Sequence, residues 1–178
     1  MIAIIDFGSQ TTHLISRRLR EFGIETTILD PENFFNKLPT LSLRGIILSG
    51  GPKSVYQKNA PTIDRKIFDL GLPVLGICYG LQLFAHLLNG KVTPGKKKEY
   101  GPATIRITHS SSLLINTAPS FNVWMSHGDE VVKPPAGFTI NAVTDTIPSA
   151  AVSDEKRKMY GIQFHPEVIH TQFGEQIL

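Results

Sequence analysis

The stretch PVLGICYGLQLFAHLLNG, residues 73–90, decides the fold. Val74, Leu75 and Ile77 make a short apolar run behind a proline, and from Leu81 apolar residues recur at helical spacing as far as Leu88, with Gly90 beyond. Between the two stands Gly76-Ile77-Cys78-Tyr79-Gly80, and Cys78 is the only cysteine in the chain. The pattern predicts a buried strand that turns through a glycine-flanked corner directly into a helix over 81–88.

The segments before it repeat the unit. IAII at the N-terminus reads as a buried strand, and Leu14, Ile15, Leu19 and Phe22 follow at helical spacing until Gly23. IETTIL is a second strand; GIILSGG (45–51) is a third, with a helix expected around 63–70; PVLGI is the fourth. Repeated βα units of this length predict an α/β fold, a mostly parallel central sheet with helices on both faces. In such sheets functional residues collect beyond the carboxyl ends of the strands, where Asp6, Gly8, Ser49, Gly50, Gly51 and Cys78 all fall. From Lys91 the character changes. ATIRITH, NVWMSH, FTINAV, AAVSD and YGIQFH are short runs separated by Pro, Gly and Asp, read as antiparallel additions and a returning strand. FGEQIL at the end reads as a helix finishing on bare apolar residues, which suggests a domain of a longer polypeptide or a subunit that docks onto another.

Composition narrows the classes. A chain of 178 residues with 41% hydrophobic residues is the size of one domain, 1–178, with enough apolar surface for a core. Eighteen basic residues stand against fifteen acidic ones, and the basic runs are as short as Lys96-Lys97-Lys98, too little for a nucleic-acid surface. A single cysteine forms no internal disulfide, and MIAIIDFGSQ opens on a strand without the basic start and long apolar stretch of a leader. The expectation is a soluble, cytoplasmic protein in a reducing compartment. No apolar segment approaches the roughly 20 residues that span a bilayer, and there is no internal repeat.

The corner at Cys78 resembles the nucleophile elbow of hydrolases, where a sharp strand-to-helix turn lifts a side chain off the sheet and aims a helix N-terminus at it. The thiolate is the nucleophilic form of cysteine, and helix N-termini and neighbouring histidinium groups favour it. A lone cysteine is more often buried and inert, so the reading needs a base. YGIQFHPEV supplies one: a strand ends at His165, Pro166 keeps His165 out of a helix, and Glu167 stands two residues on, able to orient the imidazole. The two glycines of LSGGP expose backbone N–H groups at the same sheet edge, and one of them with the N–H of Tyr79 could hold an oxyanion; alone, GGP is an ordinary turn. Metal chemistry finds no support, because His165-Pro166-Glu167 lacks the Cys-x-x-Cys half of a zinc deaminase and the other histidines have no ligand spacing.

Taken together, ILSGGP, GICYGLQL and GIQFHPE, in that order, resemble the motifs of the class I (triad) glutamine amidotransferases, a likeness that runs from Ile2 to the last residue. Within that family DFGSQ, EYG (99–101), VWMSHGDEV and HPEVIHTQFGEQIL resemble the branch that serves GMP synthetases, with Lys98 where that branch commonly has arginine. The resemblance implies a flavodoxin-like fold and an enzyme that hydrolyses L-glutamine to glutamate and ammonia. It implies Cys78 as nucleophile, His165 as proton carrier and Glu167 as its orienter, with Gly51 and Tyr79 giving the oxyanion N–H groups. Gln82, Ser126, His127, Gly128 and Asp129 would line the glutamine pocket. No cofactor or metal is implied for this domain. ATP and Mg2+ would serve a partner, the ATP pyrophosphatase domain or subunit that aminates XMP, whose S-G-G-x-D-S loop does not occur in these 178 residues. Competing readings are an amidotransferase for another synthetase, a cysteine hydrolase or peptidase of similar architecture, and a non-catalytic α/β binding module.

Overall fold

The computed structural model describes residues 1–178, and the side chains of all except 96–98; the Lys96-Lys97-Lys98 run and the Lys98 departure therefore lie outside the described residues. Its strands are β1 (Ile2–Ile5), β2 (Thr26–Leu29), β3 (Gly45–Leu48), β4 (Val74–Ile77), β5 (Lys91–Ile107), β6 (Ser120–Lys133), β7 (Thr139–Val143), β8 (Ala151–Asp154) and β9 (Met159–Ile162). They form one sheet in the order β2-β1-β3-β4-β9-β8-β7-β5-β6. Pairing is parallel from β2 to β9 and antiparallel from β9 to β6, so β9 is the returning strand expected from YGIQFH. The helices are α1 (Thr12–Glu21), α2 (Phe34–Lys37), α3 (Tyr79–Leu87) and α4 (Gly174–Ile177). Among the described residues no helix is long and apolar enough to cross a membrane.

Alternation along the parallel strands splits the core between the two faces of the sheet. Ala3, Ile5, Ile46, Leu48 and Val74 pack with Phe34 and the α3 residues Leu81, Leu83 and Phe84. Ile4, Ile47, Leu75 and Ile77 pack on the other side with Ile15 and Leu19 of α1 and Ile177 of α4. α3 is buried from Tyr79 to Ala85, which explains why its apolar residues are not confined to one stripe.

Four local expectations are corrected. The segment around 63–70 is not an α-helix but a 3-10 turn, Arg65–Asp69, started by the Asp64 carboxylate accepting from the Lys66 N–H at 2.9 Å. Gly71 follows at φ +70°, and Ile63 and Ile67 are buried all the same. Phe22 is half-exposed rather than part of the α1 core face, because the helix ends at Glu21. Gly23, at φ +74°, closes it there, and the Ile24 N–H reaches back to the Leu19 carbonyl at 3.0 Å. β9 stops at Ile162, and the next residues find separate partners: Gln163 N–H on Ala150 and His165 N–H on Trp124. The terminal residues are not bare, since Ile177 is buried and Leu178 packs against the same cluster.

Candidate active site

Cys78 caps α3 at φ +52° and ψ −106°, a conformation that side chains larger than glycine's rarely adopt. Three close approaches hold it there. A Cβ on Gly76 would come within 2.7 Å of the Leu81 nitrogen, and one on Gly80 within 2.2 Å of the Leu48 carbonyl, so the corner admits only glycine on both sides of the cysteine. The Cys78 N–H donates to the Ile162 carbonyl of the adjacent parallel strand at 2.8 Å. The Tyr79 hydroxyl donates to the Pro61 carbonyl and pins the helix start to the loop that follows β3. The thiol is buried, with the Ser126 carbonyl 3.5 Å from its sulfur.

His165 stands beyond β9, next to β4, and lines the same cavity as Cys78. Its Nδ1–H donates to Glu167 Oε1 at 2.8 Å, which leaves Nε2 for the thiol. Glu167 is fully buried, and its backbone carbonyl accepts from Arg18 Nε of α1 at 3.3 Å. Burial pushes the His165 imidazole down, but the thiol beside it and the Glu167 carboxylate push harder upward, to about 10. Thr171 fixes the backbone: its hydroxyl donates to the His165 carbonyl at 2.6 Å and accepts the Trp124 N–H at 3.0 Å.

Two cavities meet at Cys78. One, of about 600 Å3, runs past Gln82, Ser126, His127, Gly128 and Asp129. The other, of about 310 Å3, runs past Gly8, Trp124 and His165, and both include Gly51 and Pro52. Gly51 is tightly held, since a Cβ there would lie 2.9 Å from the Phe7 carbonyl and 3.2 Å from the Tyr79 ring. Its neighbour Gly50 leaves room for the His165 ring, whose Cε1 would lie 3.2 Å from an added Cβ. The Tyr79 N–H belongs to the first turn of α3 and has no partner within the helix.

The wall opposite comes from β6. The Gln82 amide donates to the Asp129 carbonyl at 2.8 Å and to Gln163 Oε1 at 3.2 Å, so both N–H groups are spent and the oxygen is what remains to meet a ligand. His127 is buried and its Nδ1 lies 3.0 Å from the same Asp129 carbonyl. Burial pushes the His127 imidazole down, only partly opposed by Glu99. Gly128 has open space around it, with nothing nearer an added Cβ than the Tyr100 hydroxyl at 4.0 Å. The ten residues singled out in the sequence therefore gather around one thiol. Those that sequence reasoning missed are Thr171, Trp124 and Gln163, each a backbone or amide support whose partner lies far away in the chain.

The glutamine amidotransferase class-I model matches residues 3–178. The chain belongs to that family. Among relatives of this amidotransferase chain, the GMP synthase [glutamine-hydrolyzing] of Geobacillus kaustophilus is 50% identical over 178 residues, all of this chain and 35% of that protein. The enzyme of the same name from Bacillus subtilis is 47% identical over the same length, again 35% of its own. The amidotransferase chain thus spans about a third of the curated relatives it matches. The crystal structure of a candidate GMP synthase subunit from Thermoplasma acidophilum superposes with a TM-score of 0.85 at 33% identity, covering 99% of this chain and 88% of that one.

Proposed function

We propose that this chain is the glutamine-hydrolysing unit of a GMP synthase. The observation that carries the chemistry is the placing of Cys78, on its strained corner, beside an imidazole whose Nδ1–H is held by Glu167 at 2.8 Å. Cys78 passes its proton to His165 Nε2 as the sulfur attacks the side-chain amide carbon of glutamine, and the N–H groups of Gly51 and Tyr79 take up the oxyanion. His165 gives its Nε2 proton to the departing nitrogen, ammonia leaves, and a thioester to Cys78 remains. His165 then takes a proton from water, the hydroxide attacks the thioester, and the thiol returns as glutamate is released. Glu167 keeps the imidazole in the tautomer that both steps need. Gln82 and residues 126–129 hold the amino-acid end of the substrate in the larger cavity.

The destination of the ammonia is argued from the relatives. An identity of 50% along the whole chain to glutamine-hydrolysing GMP synthases supports, as partner, an ATP pyrophosphatase domain or subunit, with ATP and Mg2+ consumed there to aminate XMP. The chemistry on this chain uses no metal or cofactor, and a reducing cytoplasm would keep Cys78 a free thiol. The test is to incubate the chain with glutamine and measure glutamate and ammonia, with and without the partner synthetase, ATP and XMP. Glutamate formation lost in Cys78→Ala and coupled to GMP formation is the expected result. Hydrolysis indifferent to Cys78 would overturn the mechanism, and hydrolysis that no XMP-aminating partner uses would overturn the pathway.

A further inference from the structure

Glu99, the first residue of the EYG motif, has no part in the scheme above. It stands directly across the β5–β6 ladder from His127, just past the irregularity between Pro94 and Glu99. Its Oε1 accepts from the Thr146 hydroxyl, and its Oε2 lies 3.5 Å from His127 Nε2. On the other side of the ring Nδ1 faces the Asp129 carbonyl, which can only accept, so this contact is a hydrogen bond only when Nδ1 carries a proton. The imidazole is thus held between two acceptors with its side chain 1% exposed, out of reach of bulk water. A neutral ring has one N–H and satisfies one of them; an imidazolium satisfies both. Neither Nε2 nor Oε2 has another hydrogen-bond partner among the described residues.

The choice matters because the Asp129 carbonyl is shared. It accepts from His127 and from Gln82, and Gln82 lies one turn along α3 from Cys78. We propose that Glu99 is a positioning residue for glutamine binding: its carboxylate at Nε2 sets whether His127 holds the Asp129 carbonyl, and through it Gln82, in place. This rests on the reading that the β6 wall binds glutamine. Among the described residues the other titratable groups near the ring are Asp129 itself and Glu130, both on β6. Gln82 and Gln163, which continue the network, carry no charge. When His127 is neutral it divides its proton between Glu99 and Asp129, and when it is protonated both bonds form. Burial favours the neutral ring, so acidification is what completes the pair. Glu99→Gln would supply the missing donor at every pH, since Thr146 keeps the amide oxygen and turns the amide N–H toward Nε2.

The test is steady-state glutamine hydrolysis by the wild type, Glu99→Gln and Glu99→Ala between about pH 5 and about pH 8, with ring nitrogen NMR of His127. In the wild type KM falls about threefold toward the acid end, in Glu99→Gln it is low and flat, and in Glu99→Ala it is raised about tenfold, while kcat stays within about threefold throughout. A Glu99→Gln profile that follows the wild type, or a KM in Glu99→Ala within about twofold of it, overturns the proposal. Should the alanine variant fail to fold, the glutamine variant decides alone. The ring spectra need no turnover: they are expected to show mixed tautomers in the wild type and only the Nδ1–H form in Glu99→Gln. Identical spectra would overturn the pairing even if glutamine proved not to be the substrate. Absence of hydrolysis by the wild type would instead overturn the functional reading.

Discussion

Gly76 and Gly161 face each other across the β4–β9 ladder, and α3 lies directly over the gap that their missing side chains leave. A Cβ on Gly161 would meet Leu81 Cδ1 at 2.5 Å and Phe84 Cζ at 2.6 Å, and one on Gly76 would meet the backbone of Gly80 and Leu81 at 2.7–2.8 Å. The first clash involves side-chain ends that can turn aside, the second a helix backbone that cannot. Gly161→Ala is therefore expected to cost roughly 1–3 kcal/mol, the usual range for overpacking. Gly76→Ala should cost more and also abolish glutamine hydrolysis, because relief requires lifting the helix start that carries Cys78. Urea unfolding of the two variants checks the order, and a Gly76→Ala variant that keeps both stability and activity contradicts the account.

The backbone at Cys78 stores strain that the thiol's role requires. A non-glycine residue in such a conformation costs on the order of 1–3 kcal/mol. Cys78→Gly should thus unfold at a higher temperature than Cys78→Ala, although both lose glutamine hydrolysis. Ammonia-dependent synthesis by a partner synthetase should survive in both. Differential scanning calorimetry compares the two, and equal melting temperatures would show that the corner is unstrained.

Removing the members of the triad should not be equivalent. His165→Asn loses proton transfer in both half-reactions and is expected to lower kcat by roughly 10²–10⁴. Glu167→Gln retains an acceptor oxygen toward Nδ1–H and should fall less. The comparison of kcat among these variants and Cys78→Ala decides, and equal, complete loss in all three would mean that Glu167 does more than orient.

Stability should carry the signature of His165. Its imidazole is raised to about 10 in the fold, against about 6.5 in an unfolded chain, so between those values the native state binds the extra proton. Its stabilising contribution is complete below about pH 6.5 and is lost as pH rises through about 10. The difference in unfolding free energy between the wild type and His165→Asn is expected to shrink across that window in urea titrations. A difference that stays constant with pH would mean that the buried ring is neutral.

Much of this was legible in the sequence because it is local. Gly76, Gly80 and the apolar runs on either side of Cys78 specify a strand, a corner and a helix within a few residues, and His165 and Glu167 sit two positions apart. The parallel strands follow from continuous apolar runs such as IAII and GIIL, buried on both faces. What was not legible depends on distant partners. The short 3-10 segment at Arg65–Asp69 stands where apolar spacing suggested a helix, because burying Ile63 and Ile67 satisfies that spacing without an α-helix. The cover over Ile177 comes from the face of the sheet that α1 also packs on. The approach of Glu99 to His127 depends on a β-ladder irregularity that no periodicity shows.

The order of the strands also separates two kinds of change. Cys78, His165 and Glu167 follow β4 and β9, adjacent in the parallel half, whereas Ser126, His127 and Asp129 ride on β6, the last strand of the antiparallel extension. The long β5–β6 hairpin reaches the triad by bending back over it, with the Trp124 carbonyl meeting the His165 N–H. A register slip in that hairpin would move the His165 backbone and the thiol's carbonyl partner together with the recognition wall, whereas side-chain changes at residues 126–129 reshape what is recognised and leave those backbone hydrogen bonds in place. A single scaffold of this kind can be retargeted to a different acyl donor through the side chains at 126–129, with the Trp124 register kept, when the substrate, and not the reaction, is to be altered.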